Sequence, residues 1–222
     1  ALRIIVLFHF FNLGYSPFSL AFLFLLYELA GVFSNIIGGW ITSIFGIKKM
    51  LLFGCSLQVF GILLLSFLDD NWNTSFSIIW ILFSQGICGI AKDLTKTASK
   101  SAIKVTSNFE EQGELFKWVS WFTGSKNSMK GLGFFLGGIL IQFLEFNFSL
   151  WVMVSFLILS LIIICLYIPN NLGFFVPSKK IKDLFSKSSN INFLSLSRVF
   201  MFGSRDIWFV VGLPVFLYSQ NW

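Results

Sequence analysis

The sequence predicts an all-α membrane protein, a helical bundle with about seven transmembrane helices, and three observations carry that reading. Hydrophobic residues make up 56% of the chain and mean hydropathy is +0.81, while charged residues are held to 12%, about half the share usual in a soluble domain. Several apolar runs reach the ~20 residues that cross ~30 Å of hydrocarbon as a helix. The alternating ~10-residue segments that mark membrane strands do not occur in the sequence.

The first residue, Ala1, already lies inside an apolar run, and Trp222 lies at the edge of another, so the chain is expected to be a fragment. Arg3 to Phe11 lacks the basic start and small-residue cleavage site of a secretory signal. Residues 1–13 read as the latter half of a first helix, turned by Gly14 to Pro17 into a second over about 19–45 that carries Glu28 at its middle. The basic joint Gly46-Ile-Lys-Lys49 leads to a third helix over about 50–68, and the acidic turn Asp69-Asp-Asn-Trp-Asn73 to a fourth over about 76–91. A lysine-rich joint follows, in which Ser107 and Asn108 stand before Glu110 and Glu111 as a capping box for a fifth helix reaching about Phe143. The sixth spans about 150–168 and stops at Pro169-Asn-Asn171. Within the polar stretch 169–192, KKIKDLFSK spaces Ile181, Leu184 and Phe185 for a helix lying on the membrane surface. A seventh helix covers about 193–218.

Loop charge sets the expected orientation. Joints 2-3, 4-5 and 6-7 hold Lys48, Lys49, Lys92, Lys96, Lys100, Lys104, Lys179, Lys180, Lys182 and Lys187, whereas the other joints hold no Lys or Arg. Positive loops stay on the cytoplasmic side, so the chain is expected to be a multi-pass protein of the inner (plasma) membrane with those three joints cytoplasmic. The net charge of +6 is then a consequence of topology and not a nucleic-acid footprint. The four lysines from Lys92 to Lys104 recur every fourth residue and are read as topology determinants that touch lipid phosphates.

Charges inside the spans are costlier. Arg3 lies about 17 Å along its helix from Gly14, and Lys130 about 22 Å from Glu145. Glu28 also approaches the midplane, and Arg205 and Asp206 sit inside the seventh helix, two turns from Arg198. Each such group costs on the order of 2.5–3.5 kcal/mol on insertion scales and is expected to face the protein interior or a watery cavity. Arg3, Lys126, Lys130 and Arg205 are therefore the candidate substrate-binding residues, with Arg suited to bidentate contact with oxyanions and Lys to a point charge. Glu28 and Asp206 are candidates for coupling or for structural ion pairs, Arg3 with Glu28 and Arg205 with Asp206 among them. Lys126 can also snorkel to the surface.

Gly133-x-x-x-Gly137 permits close helix packing. His9, the single histidine, reads as an interfacial or packed residue, and Cys55, Cys88 and Cys165 as buried free thiols without zinc or disulfide spacing. No H-x-x-E or H-E-x-x-H pair and no acidic metal cluster occurs in the sequence. A membrane-embedded transferase is thus a remote alternative to transport; the chain is not expected to be an enzyme, and no cofactor or metal is expected.

Six helices, a basic linker and a seventh helix form the plan of the major facilitator superfamily at the boundary of its two halves. That plan divides the chain into a six-helix half over 1–168, a linker over 169–192 and the first helix of a second half over 193–222. Gly39-Trp-Ile-Thr-Ser-Ile-Phe-Gly-Ile-Lys-Lys49 resembles the superfamily's G-x-x-x-D-R-x-G-R-R loop, with Gly39, Gly46 and Lys48 matching, Ser43 in place of the acidic residue and Ile44 in place of the first basic one. Longer stretches resemble one family within it, the ArsJ organoarsenical exporters. They are Leu13-Gly-Tyr-Ser-Pro-Phe18, Leu20 to Glu28, Gly89-Ile-Ala-Lys-Asp-Leu-Thr-Lys96, Ser99 to Lys104, Leu115 to Trp118, Thr123 to Asn127, Lys130 to Gly138, Asp183 to Ser188 and Arg205 to Phe216.

The resemblance covers nearly the whole chain. It implies about five further helices, export of 1-arseno-3-phosphoglycerate, a functional link to glyceraldehyde-3-phosphate dehydrogenase as the source of that anion, and arsenate resistance. The seven-helix piece is expected to be inactive alone, since a rocking mechanism needs both halves. An exporter of another phosphorylated or carboxylated metabolite would present the same basic residues.

Overall fold

The computed structural model describes residues 1–69, 71–106, 112–170, 172 and 188–220, with some side chains inside the helices left out. Among them the chain forms α1 (Leu2–Asn12), α2 (Pro17–Leu23), α3 (Leu25–Phe45), α4 (Ile47–Ser66), α5 (Thr74–Thr106), α6 (Gln112–Phe143), α7 (Phe146–Tyr167) and α8 (Ser189–Ile207), then a π turn over Trp208–Gly212 and α9 (Leu213–Ser219). The architecture is the expected all-α bundle. By length and composition, three described helices are able to cross a membrane: α4, the Thr74–Ile103 part of α5, and α7, whose best window has a mean hydropathy of 2.7.

Several boundaries differ from expectation for local reasons. The second helix starts at Pro17 and not at Ser19, because Ser16 caps it by accepting the Ser19 amide at 3.2 Å and Pro fits the first helical position. It then tightens at Phe24, which separates α2 from α3; neither Gly nor Pro lies between Phe18 and Ala30 to explain it. The result places Glu28 in the first turn of α3, where the helix dipole favours a carboxylate. The larger correction concerns residues 92–106, expected as a joint. They continue α5 as helix: the segment has no Gly or Pro to stop it, and its hydroxyls, which could compete with the backbone, are occupied along the helix, as Thr95 is by the Ala91 carbonyl at 2.8 Å and Ser99 by that of Thr95 at 2.8 Å. At 33 residues α5 is about 50 Å long, well beyond the hydrocarbon thickness. The expected capping box and surface helix lie outside the described residues.

At the other end, the seventh helix is interrupted by the π turn immediately before Pro214. A proline ring clashes with the carbonyl four residues back, and a wider turn there removes the conflict.

Helix α5 is the central element, packed most extensively on α3 and α4; α4 also meets α7, and α1 meets α6 and α7. Ile5, Leu7 and Phe10 of α1 join Leu23, Ile62 and Ile81 in the main core. Phe53 and Phe60 of α4 and Phe156 and Leu166 of α7 point outward, an arrangement that suits lipid and would be costly in water. Two close approaches fix α3 against α5: a Cβ at Gly89 would strike the Tyr27 carbonyl, and one at Gly31 the Asp93 carboxylate. The Gly133/Gly137 pair of α6 receives the start of α1, where a Cβ at Gly137 would stand 2.8 Å from the Ala1 Cα.

The joint between α3 and α4 turns on Gly46, whose φ of 83° is strained for any other residue. It is stitched to the far end of α7: the Lys48 ammonium donates to the Cys165 carbonyl at 2.9 Å, and the Ile47 amide to the Leu172 carbonyl at 3.1 Å. The Ser43 side chain is not among those described. The acidic turn after α4 forms as expected, with Asp69 accepting from the Asn71 amide at 2.9 Å. Beside it Trp72, Phe76 and Trp80 pack edge to face, the kind of aromatic cluster found at a membrane interface.

A charged cluster between three helices as the candidate functional site

Arg3 of α1, Tyr27 and Glu28 of α3, and Lys92, Asp93 and Lys96 of α5 converge. Arg3 forms an ion pair with Glu28, and its guanidinium stands 4.4 Å from the Tyr27 ring centroid. The Lys92 ammonium lies 4.3 Å from the same centroid, 3.9 Å from Glu28 and 3.7 Å from Asp93. Lys96 closes the chain of charges at 2.9 Å from Asp93, one turn along the same helix. Two cations thus share one aromatic ring, each within cation–π range, and three cations meet two carboxylates.

The two acids differ. Asp93 has 5% of its side chain exposed, fitted against Gly31, whereas Glu28 has 47% exposed. Burial of Asp93 is tolerated because two ammonium groups approach it.

Of the expected site residues, the structure brings Arg3 and Glu28 together. Lys126 lies within Coulombic range of Lys100, Lys130 and Lys96, so cations of α5 and α6 feel one another's charge. Lys130 itself stands on an exposed part of α6. Arg205 and Asp206 fall at the end of α8, and their side chains lie outside those described. The segment after them comes back to α1: the Tyr218 hydroxyl donates to Asn12 at 2.8 Å and its ring stacks on Phe8.

Sequence reasoning missed Tyr27, Asp93 and the role of Lys92 and Lys96. Lys92 and Lys96, read as lipid-contacting topology determinants, are instead turned into the bundle and paired. Asp93 and Lys96, three residues apart, were the available signal, since that spacing puts both on one helix face. Gln85, fully buried two turns before Lys92 on the same face of α5, has no hydrogen-bond partner among the described residues. His9 is packed, its ring stacked 3.9 Å from that of Phe146. The cysteines are free, but only Cys88 is buried; Cys55 is half-buried and Cys165 exposed, since α7 turns that face outward. Among the described residues no three His, Cys, Asp or Glu side chains gather to hold a metal.

Comparison with known proteins returns one family. Neither the curated proteins nor the solved structures contain a match. The sequence model of the Major Facilitator Superfamily matches residues 4–221. That match takes in the helices of the charged cluster from residue 4 onward, with Arg3 standing one residue before it. It agrees with the all-helical bundle and its membrane-length apolar helices. The chain belongs to the major facilitator superfamily and is an integral membrane protein of the transporter class, handling small-molecule substrates.

Proposed function

We propose that this chain is part of an exporter of an organoarsenical anion, 1-arseno-3-phosphoglycerate, and confers arsenate resistance in partnership with glyceraldehyde-3-phosphate dehydrogenase, which makes that anion. The long stretches that resemble the ArsJ exporters support the substrate; the observation that carries its anionic class is the excess of cations inside the bundle. Among the described residues Arg3, Lys92 and Lys96 pair with Glu28 and Asp93 alone, and Lys126 of α6 lies within electrostatic reach of Lys100 and Lys96. A substrate with a phosphate at one end and an arsenate ester at the other needs cationic partners on more than one helix, because its two charges are separated by a carbon chain.

In this reading residues 1–168 form the six-helix half, 169–192 the linker and 193–222 the opening of the second half. The lysine-bearing ends of the helices face the cytoplasm of the inner membrane. Arg3, Lys126, Lys130 and Arg205 contact the substrate, and Glu28 and Asp206 are placed for coupling.

The test supplies arsenate, glyceraldehyde 3-phosphate, NAD and the dehydrogenase to the outside of everted vesicles containing the full-length protein, where the cytoplasmic face is exposed, and follows arsenic uptake. Uptake that requires the dehydrogenase is the expected result. Uptake without it would mean that arsenate itself is carried. No uptake in either case would overturn the arsenical reading and direct the search to other phosphorylated or carboxylated metabolites.

A further inference from the structure

We propose that Glu28 is a displaceable internal anion. Its carboxylate occupies the position between Arg3 and Lys92 until an oxyanion of the transported substrate takes its place. The inference rests on the anionic substrate class proposed above, and it adds Lys92 and Tyr27 to the binding residues.

Four observations lead there. Two cations from different helices converge on one carboxylate, Glu28, and on one ring, Tyr27. Of the two acids in the cluster, Asp93 is enclosed and held by Lys96 at 2.9 Å, whereas Glu28 is half-exposed and so has room to move away from the two cations. The Lys92 contact to Glu28 is long, 3.9 Å, against the 2.7–2.9 Å of a close charge-assisted bond. A tetrahedral oxyanion has more acceptor oxygens than a carboxylate and can satisfy Arg3 and Lys92 together. Finally, the fully buried Gln85 amide, on the Lys92 face of α5, has polar capacity that no described residue uses.

Tyr27 explains how the site survives the exchange. A ring that faces both cations keeps them in place when the carboxylate departs, so the site is not rebuilt for each substrate. Asp93 does the same for Lys92 from the other side, at 3.7 Å.

The experiment measures binding of 3-phosphoglycerate, a stable phosphomonoester, to the purified full-length protein in detergent by titration calorimetry. Glu28→Gln should tighten binding by about tenfold or more, the worth of one charge-assisted competitor removed, and Lys92→Met should weaken it by a similar factor. Unchanged or weaker binding in Glu28→Gln overturns the proposal. So does binding that responds to phosphatidylglycerol and not to 3-phosphoglycerate, because the anion at the site is then a lipid headgroup.

A readout on the unmutated protein guards against a misfolded variant. Labelling of Glu28 by a water-soluble carbodiimide should rise on adding 3-phosphoglycerate, and labelling that stays level or falls overturns the exchange. The outcomes separate the two proposals: vesicles that accumulate no arsenic while Glu28→Gln still tightens binding refute the arsenical substrate and leave the exchange intact. Absence of binding in both the parent and Glu28→Gln refutes the exchange.

Discussion

Helices α5 and α6 both carry lysines into an apolar bundle, yet they accommodate them in opposite ways. On α5, Lys92 and Lys96 turn inward and are matched by Glu28 and Asp93 at the seam with α3. On α6, Lys126 lies near other cations and Lys130 is exposed, and among the described residues no α6 lysine forms an ion pair. The comparison teaches that the spacing of charges along a span does not determine their role. What decides it is whether the facing helix offers a carboxylate and comes close enough to deliver it. Gly31 and Gly89 supply that closeness on the α5 side.

The contrast can be broken most forcefully at the seam. Gly89→Val places side-chain atoms against the Tyr27 carbonyl and should cost about 3 kcal/mol or more, seen as a sharp fall in melting temperature or in the amount of protein reaching the membrane. Asp93→Ala comes next. It leaves Lys92 and Lys96 facing each other without their buried acid, and should cost about 2–3 kcal/mol, towards the low side for a broken buried pair because each lysine is about one-third exposed. Gln85→Met replaces an unpartnered buried amide by an apolar chain of similar length and should change stability by less than about 1 kcal/mol in either direction. On α6, Lys126→Ala and Lys130→Ala should shift stability by no more than about 0.5 kcal/mol while lowering vesicle export severely. Normal export by both variants would remove α6 from the site; a large loss of stability would show that its lysines are structural like those of α5.

Much of the fold was legible because apolar runs of membrane length are hard to mistake, and the Arg3–Glu28 pair was legible because each is a lone charge within an apolar stretch of the sequence. The largest misreading has a simple cause. Residues 92–106 are polar, and polarity suggested a joint, but Ser, Thr and Lys side chains can satisfy a helix locally and extend it past the hydrocarbon. The partners of Lys92 were hidden for a different reason: Glu28 and Tyr27 stand far away in sequence, on a helix whose facing direction depends on the tightening at Phe24 that no residue announces. The interruption near the end of the chain had a signal in Pro214, which the reading of one continuous helix over about 193–218 passed over.

The stitched joint at Gly46 has a practical consequence. Lys48 donates to the carbonyl of Cys165, whose thiol is the exposed one of the three, with Cys88 buried and Cys55 half-covered. A fluorophore attached through maleimide chemistry at Cys165 would therefore sit beside the α3–α4 turn and sense its environment. A change in the contact between that turn and α7 would then be read as an optical signal.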